Sequence, residues 1–201
     1  MQAAAYWIAL LTVVLFLPFL SVWFIIHPFI HTWRRLGPAK TYLLAAAFVL
    51  AMMAAFFAVR GPLLAVRFGV RLPFAIAGGL LLAASLAIGI AMRRRFPITA
   101  LLGLPEVSPP AAGRTLVTEG IYSHIRHPRY LQVMLGLAAF ALVTNYLALY
   151  ALLAVSVPLI YLVVLFEERE LRQRFGEEYE RYCREVPRFL PRVFRRSLPG
   201  P

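Results

Sequence analysis

The sequence predicts an all-α fold: a polytopic membrane helical bundle of about five transmembrane helices, followed by a cytoplasmic C-terminal amphipathic helix. Composition is the first reason, because 61% of the 201 residues are hydrophobic and the mean hydropathy is +0.74, whereas an ordinary soluble domain is about 45–50% apolar. Second, the apolar residues form blocks of roughly 18–25 residues, the length that crosses a hydrocarbon core about 30 Å thick. Third, nearly all charged residues lie between or after these blocks. The predicted spans are about residues 5–27, 41–59, 72–92, 129–144 and 146–166.

The chain is predicted to consist of two regions. Residues 1–96 form an N-terminal membrane region with three spans, and residues 97–201 contain a connector, two further spans, a C-terminal helix and a tail. The connector, from Pro97 to Gly113, is indicated by its prolines. The helix is predicted to run from Glu167 to about Arg188, with a break at Gly176. Its apolar face recurs at spacings of three and four: Leu171, Phe175, Tyr179 and Tyr182.

The fourth and fifth spans are predicted to form a tight antiparallel hairpin. Only Thr144 and Asn145 separate them, and asparagine suits a tight turn. Polar segments flank the hairpin on both sides, one ending at Arg126 and Arg129 and the other starting at Glu167. Because the hairpin folds back on itself, we expect these two segments, about 40 residues apart in sequence, to lie side by side.

The distribution of basic residues predicts the orientation. By the positive-inside rule, the flanks of the hairpin and the basic tail are cytoplasmic, so the C-terminus is expected to face the cytoplasm and the N-terminus to lie outside. The second loop is the exception, because Arg60, Arg67 and Arg71 are then on the outer side. No Lys or Arg precedes the first apolar run, which favours a retained span over a cleaved signal peptide.

Several functional classes are disfavoured. The net charge of +12 suggests nucleic-acid binding, but basic loops beside membrane spans already account for it, and no nucleic-acid partner is predicted. A single cysteine, Cys183, excludes an internal disulfide and a Cys-rich metal site. His124 and His127 have a spacing that could bind a metal on a helix, but Pro128 and the lack of a third ligand argue against it. No metal is predicted.

Two carboxylates at the end of the fifth span are candidate functional residues. Glu167 and Glu168 adjoin an apolar helix, where charge is costly unless it faces a polar cavity or a cation. The alternative is that they pair in the headgroup region with Arg126, Arg129 or Arg172 and contribute little. Tyr122 and Tyr130 have a similar alternative, as aromatic residues of the membrane interface. His127 and Pro128 are also suited to begin the fourth span, since proline is favoured in the first helical turn.

A family resemblance lies in these same segments. It consists of Thr115-Leu-Val-Thr-Glu-Gly-Ile-Tyr122, Arg126-His-Pro-Arg-Tyr130, Glu167-Glu168, Phe175-Gly-Glu-Glu-Tyr179 and Val186-Pro187. In order and spacing, these motifs resemble the isoprenylcysteine carboxyl methyltransferase family and its phospholipid methyltransferase relatives. The resemblance covers about residues 114–191, and the first three spans match only as spans.

The resemblance implies an integral membrane methyltransferase, with residues 97–201 as its core. S-adenosyl-L-methionine would lie between the hairpin and the C-terminal helix at the cytoplasmic face, and a lipidic or small-molecule methyl acceptor would enter from the membrane lipids. The implied catalytic residues are Glu167, Glu168 and Arg126. The implied cofactor-binding residues are Arg114, Thr115, Leu116, Val117, Tyr122, His127, Pro128, Arg129, Tyr130 and Glu167.

Elementary chemistry is compatible with this assignment. A sulfonium and an amino group are cationic, so a carboxylate and tyrosine rings are suitable partners. In-line methyl transfer gains chiefly from holding the nucleophile and the sulfonium close together in a dry pocket.

The sequence departs from the family pattern at two positions that bear on the acceptor. Val163 stands where the family places an acceptor-binding arginine, and Gln132 replaces a usual glycine. Arg129 or Arg188 is a hypothetical replacement for the arginine. We rank a prenylcysteine-like carboxyl acceptor first, a phospholipid amine second and a small thiol third.

Two hypotheses from other classes compete with the enzyme. A non-catalytic assembly or transport factor with the same fold would bind no cofactor and would tolerate Glu167→Gln and His127→Ala. An electron-transfer or haem protein using His27, His31, His124 and His127 would absorb visible light, but these histidines do not fall on facing spans at matched depth.

Overall fold

The computed structural model describes residues 2–26, 30–93 and 115–191, and it confirms the all-α class. In these ranges β-type pairing is limited to one isolated bridge between Arg67 and Tyr146. The elements in chain order are α1 (Gln2–Ile26), α2 (Ile30–Leu36), α3 (Pro38–Ala58), α4 (Arg60–Leu63), α5 (Leu72–Arg93), a 3-10 helix (Gly120–Ser123), α6 (Pro128–Thr144), α7 (Leu147–Phe175) and α8 (Glu177–Glu185).

Four of the five predicted spans correspond to helices long and apolar enough to cross a membrane: α1, α3, α5 and α7. The fourth predicted span is α6, a shorter apolar helix of 17 residues and roughly 25 Å long. Large apolar side chains point outward from the bundle, such as Leu43, 71% exposed, and Leu80, 68% exposed. Since water would penalise such a surface, the architecture is that of an integral membrane protein.

The charged C-terminal helix requires a correction. The prediction started a new amphipathic helix at Glu167, but α7 continues without a break through that residue to Phe175. The predicted break at Gly176 is confirmed, since this residue has φ of 53° and separates α7 from α8. Apolar and charged stretches share one helix because Glu and Arg are good helix formers and nothing before Gly176 ends the hydrogen-bond pattern. The predicted connector, Pro97 to Gly113, lies outside the described residues.

The hairpin turn between α6 and α7 is confirmed, and it also anchors another loop. Asn145 adopts the left-handed conformation with φ of 56°, and its side-chain amide donates to the Gly69 carbonyl at 2.6 Å. Its backbone carbonyl accepts from the Phe68 amide at 3.0 Å. The turn and the loop 64–71 therefore lie together at one end of the bundle, the tip end. The opposite end, where α6 begins and the charged part of α7 lies, is the foot end.

Helices α5 and α6 pack through small residues. Gly78 and Ser85 of α5 are buried, and the Ser85 hydroxyl donates to the Gln132 carbonyl at 2.9 Å. Further along α5, Gly89 lies directly under the Gln132 side-chain amide. Small residues let two membrane helices approach closely, so Gln132 fills space between α5 and α6.

Adding a methyl group at Gly78 is expected to destabilise the bundle. A Cβ there would lie 2.7 Å from the Val143 Cγ2 and 2.9 Å from the Ala139 carbonyl oxygen. Because one of these neighbours is backbone, Gly78→Ala should lower the free energy of unfolding by roughly 1–3 kcal/mol. Gly79→Ala is the matched control, since a Cβ there meets nothing within 4 Å. Thermal unfolding in detergent tests the pair, and equal stability of the two variants would contradict this packing.

Candidate active site at the foot end

Two segments that are distant in sequence run side by side at the foot end. Helix α6 begins at Pro128 with His127 as its N-cap, which confirms the predicted helix start. The backbone amides of Arg126 and His127 donate to the carbonyls of Pro187 and Arg188, both at 2.9 Å. The predicted meeting of the polar segments is therefore confirmed, and it is fixed by backbone hydrogen bonds as well as by side chains.

Glu168 is the centre of a buried ion cluster. Its side chain is fully buried, and four cationic or titratable side chains converge on its two oxygens. Oε1 accepts from Arg126 Nη2 at 2.8 Å, His127 Nε2 at 3.2 Å and Arg188 Nε at 3.0 Å. Oε2 accepts from Arg188 Nη2 at 2.9 Å and Arg172 Nη2 at 3.4 Å. A buried carboxylate persists only when it is paired and hydrogen-bonded. For Glu168, side chains of this same chain supply these partners.

Arg126 ties this cluster to the C-terminal helix. One terminal nitrogen of its guanidinium pairs with Glu168, and the other donates to the carbonyls of Cys183, at 2.9 Å, and Val186. These carbonyls lie at the end of α8, where helical acceptors need external donors. Its contacts therefore hold α8 against α7.

Glu167 has a different environment from its neighbour. Its side chain is 31% exposed, and Oε2 lies 3.6 Å from His127 Nδ1. The His127 ring is therefore placed between the two carboxylates, one on each nitrogen. Part of the Glu167 side chain therefore reaches the protein surface, although Oε2 itself is buried.

The environment of His127 favours its charged form. Burial acts to lower the pKa of the imidazole, but hydrogen bonds to Glu167 and Glu168 and the charges of both carboxylates outweigh it, so the pKa is raised above its ordinary value. The rings of Tyr130 and Phe189 contact His127, with centroids 5.9 Å and 6.1 Å away. His127 thus joins the ion cluster to apolar residues of α6 and of the segment after α8.

Tyr122 and Arg129 belong to the same neighbourhood. Burial and the nearby Glu167 carboxylate raise the pKa of the Tyr122 phenol to about 12, while Arg129 opposes the shift. The Tyr122 backbone carbonyl accepts from the Tyr182 hydroxyl at 2.6 Å. Glu167 and Arg129 therefore each lie within electrostatic reach of the half-buried Tyr122.

The remaining predicted site residues are distributed differently. Leu116 packs against the cluster of Tyr179, Tyr182 and Val186 on the C-terminal helix. Thr115 is exposed and Val117 is half-buried. Arg114 lies outside the described residues.

Sequence reasoning missed how the arginines are used. Arg172 was considered only as a general partner, although its i,i+4 spacing from Glu168 already indicated this pairing. Arg188 was considered as an acceptor-binding residue, but its guanidinium binds both Glu168 oxygens and the Tyr161 hydroxyl, the latter at 3.0 Å. Only the backbone pairing of residues 126–127 with 187–188 brings Arg188 there.

The position of Val163 bears on the acceptor. Its side chain is fully buried in an apolar cluster. The other buried members are Leu20, Tyr130, Ile160 and Val164. The place where the resemblance expects an acceptor-binding arginine is therefore a packed apolar contact.

The raised pKa of His127 predicts a pH-dependent stability. A group that binds its proton more tightly when folded stabilises the fold fully below its ordinary pKa of about 6.5, and that contribution is lost as the pH rises through the folded-state pKa. We therefore expect the thermal stability to fall as the pH is raised from about 6 towards 9. His127→Gln should flatten this slope. An unchanged slope in His127→Gln would contradict the assignment.

Comparisons with known proteins place this geometry in context. The cobalt-zinc-cadmium resistance protein CzcN of Cupriavidus metallidurans is 36% identical over 111 residues, which are 48% of this chain and 51% of that protein. Methanethiol S-methyltransferase 2 of Bradyrhizobium diazoefficiens is 35% identical over 85 residues, 42% of this chain and 32% of that protein. The Delta(14)-sterol reductase TM7SF2 of Mus musculus is 29% identical over 93 residues, 44% of this chain and 22% of that protein.

These matches span about half the length of the curated relatives or less. No solved structure matches the chain. The sequence profile of the phospholipid methyltransferase family, however, matches residues 74–178, just over half of the chain. That range contains nearly all of α5, the complete hairpin of α6 and α7, and both carboxylates of the foot end. The chain belongs to the phospholipid methyltransferase family.

Proposed function

We propose that this protein is a membrane methyltransferase that uses S-adenosyl-L-methionine at the foot end of the bundle, on the cytoplasmic side. The observation that supports this best is the contrast between two adjacent carboxylates. Glu168 is fully buried and neutralised by its own chain, whereas Glu167 is 31% exposed beside it. A carboxylate held at the surface by such a cluster is suited to bind a cation.

The residues around Glu167 fit this cofactor. Its amino group and sulfonium are cationic, and a carboxylate and the face of an aromatic ring attract such groups. Glu167 and Tyr122 offer these groups, and Arg129, within electrostatic reach of Tyr122, would suit the carboxylate of the cofactor. When bound, S-adenosyl-L-methionine supplies an electrophilic methyl group on a positively charged sulfur.

The chain contributes binding and position in this proposal. Glu167 binds the cofactor, because its negative charge attracts the cationic groups of that molecule. Tyr122, Arg129 and His127 belong to the same part of the site. Glu168 and Arg126, which the resemblance made catalytic, act as positioning residues through the contacts already described. Pro128 and Tyr130 fix the start of α6, and Leu116 packs against the C-terminal helix. Positioning is the principal requirement of a direct displacement.

A small thiol is the acceptor we propose. Val163 is packed in an apolar cluster, and Arg188 is engaged by Glu168, so neither of them offers a cation to a carboxylate acceptor. A thiol needs no such partner, and its thiolate form is a strong nucleophile. The new bond joins the acceptor sulfur to the methyl carbon while the bond from that carbon to the sulfonium breaks. The thiol proton leaves to solvent beforehand. The relative from Bradyrhizobium diazoefficiens is named for methanethiol methylation.

The test has two stages. Calorimetry with S-adenosylhomocysteine on the detergent-purified protein should give saturable binding. The protein is then incubated with methyl-labelled S-adenosyl-L-methionine and a panel of acceptors: a small alkyl thiol, phosphatidylethanolamine and a prenylcysteine. Mass spectrometry should find the labelled methyl thioether.

Other results would change the assignment in defined ways. A labelled methyl ester would contradict the proposal of a thiol acceptor. It would favour instead the carboxyl acceptor that the sequence analysis ranks first. Labelled phosphatidylethanolamine would favour a phospholipid amine. No binding of S-adenosylhomocysteine in several detergents with added lipid would contradict the methyltransferase proposal and favour a non-catalytic member of the family.

A further inference from the structure

A cavity of about 550 Å³ lies at the tip end, far from the carboxylates of the foot end. It is lined by Gln2 and by residues 67–70 of the loop that binds the hairpin turn. The backbone of this loop is fixed on both sides, because the Leu147 amide donates to the Val66 carbonyl at 3.1 Å and Asn145 binds Gly69. These hydrogen bonds therefore fix one wall of the cavity in position.

Arg67 places a positive charge in this wall. Its guanidinium lies 5.7 Å from the centroid of the Tyr146 ring, which holds the side chain in place by a cation–π contact. Its Nε is buried and has no hydrogen-bond acceptor among the described residues. A buried donor without an acceptor is costly, and because Arg67 lines the cavity, an anion bound there would oppose the uncompensated charge of its guanidinium.

Within the described ranges, no acidic residue balances the charge of the tip end. Arg60, Arg67 and Arg71 lie at this end, whereas none of the nine acidic residues of the sequence precedes Glu106. The acidic residues within the described ranges start at Glu119 and belong to the foot end. Under the predicted orientation these arginines also lie on the side where basic residues are disfavoured. An external anion would account for both observations.

Apolar residues beside Arg67 indicate the source of that anion. Phe68 is 52% exposed, Val66 47% and Leu72 73%. These side chains lie where helices α5 and α7 begin, so they face the boundary between headgroups and acyl chains. A ligand that is anionic at one end and apolar at the other matches this surface better than a free anion.

We propose that the tip end binds the phosphate of an anionic phospholipid, with Arg67 as its principal ligand and with Phe68 and Leu72 against the acyl chains. Arginine suits this role because its planar guanidinium forms paired, charge-assisted hydrogen bonds to phosphate oxygens. The site is separate from the foot end, so it does not depend on the proposed methyl transfer.

The test measures lipid binding to full-length protein purified in detergent. Titration with fluorescent phosphatidylglycerol should give saturable binding that unlabelled phosphatidylglycerol displaces and phosphatidylcholine does not. Arg67→Gln should weaken the affinity roughly tenfold, the effect of losing one charge-assisted contact. Arg60→Gln is the matched control, since that guanidinium is engaged by the Phe57 carbonyl and ring. It should keep the wild-type affinity.

Three results would overturn the proposal. Equal weakening in Arg67→Gln and Arg60→Gln would indicate unspecific attraction by the basic surface. Displacement by inorganic phosphate as effective as by phosphatidylglycerol would indicate a free-anion site. Unchanged binding in Arg67→Gln would remove Arg67 from the site. If Arg67→Gln does not fold, Arg67→Lys is the second variant. It retains the charge but loses the planar guanidinium that can form two parallel hydrogen bonds, so it should still weaken binding severalfold.

Discussion

Replacing Glu168 by glutamine is expected to cause the largest loss of stability of any single change at the foot end. The substitution leaves Arg126 and Arg188 without their carboxylate, and Arg126 is nearly completely buried. Removing one partner of a buried ion pair typically costs about 3–5 kcal/mol. We therefore expect Glu168→Gln to unfold at a much lower temperature than the wild type, as measured by thermal unfolding in detergent.

Two comparisons make this prediction specific. Arg172→Gln removes the longest contact of the cluster, 3.4 Å from a 40% exposed side chain, together with an exposed ion pair to Glu180. It should cost much less, about 1 kcal/mol or below. Glu178→Gln on the exposed surface of α8 should be close to neutral. A Glu168→Gln protein as stable as Glu178→Gln would show that the cluster does not hold the foot end together.

Replacing Glu167 by glutamine should have the opposite effect: it should weaken cofactor binding and leave the stability of the fold nearly unchanged. Because its side chain is 31% exposed, the fold should be little affected. If Glu167 binds the cofactor, loss of one charge-assisted contact, typically worth about 1.5–3 kcal/mol, should weaken binding of S-adenosylhomocysteine by roughly 10–100-fold. Calorimetry at one pH measures the affinity, and thermal unfolding of the same sample measures the stability.

The control for Glu167 lies one turn further along the same helix. Glu170→Gln changes the same functional group on α7, so binding should stay near the wild-type value if Glu167 is the carboxylate that binds the cofactor. Binding that is equal in wild type, Glu167→Gln and Glu170→Gln would remove Glu167 from the cofactor site. Binding that is lost together with stability would mean that Glu167 acts on the fold.

The hairpin and the meeting of its flanks could be predicted from the sequence because the information is local. Two polar residues between two apolar blocks, with Asn145 able to adopt a left-handed backbone, allow little else. The start of α6 at Pro128 follows from the same kind of rule. Predictions of this type depend on spacing and backbone preference, which a single sequence contains.

The different roles of Glu167 and Glu168 could not be predicted in the same way. The two residues are identical and adjacent, and a rotation of about 100° along the helix sends one into the ion cluster and the other to the surface. The inward carboxylate meets Arg188, and the position of Arg188 depends on backbone pairing between residues 126–127 and 187–188, which are distant in sequence. The cavity beside Arg67 is likewise formed by a loop bound to a distant turn.

The continuity of α7 determines how deep Glu167 and Glu168 lie in the membrane. About 20 residues of helix cross a hydrocarbon core roughly 30 Å thick, so a span that enters at Leu147 leaves it close to Glu167. Nothing between Leu159 and Phe175 interrupts the helix, so the carboxylates cannot shift relative to the span that bears them. Bilayer thickness is therefore coupled directly to the hydration of Glu167, because a thicker membrane would draw it towards the acyl chains and a thinner one would expose it to water.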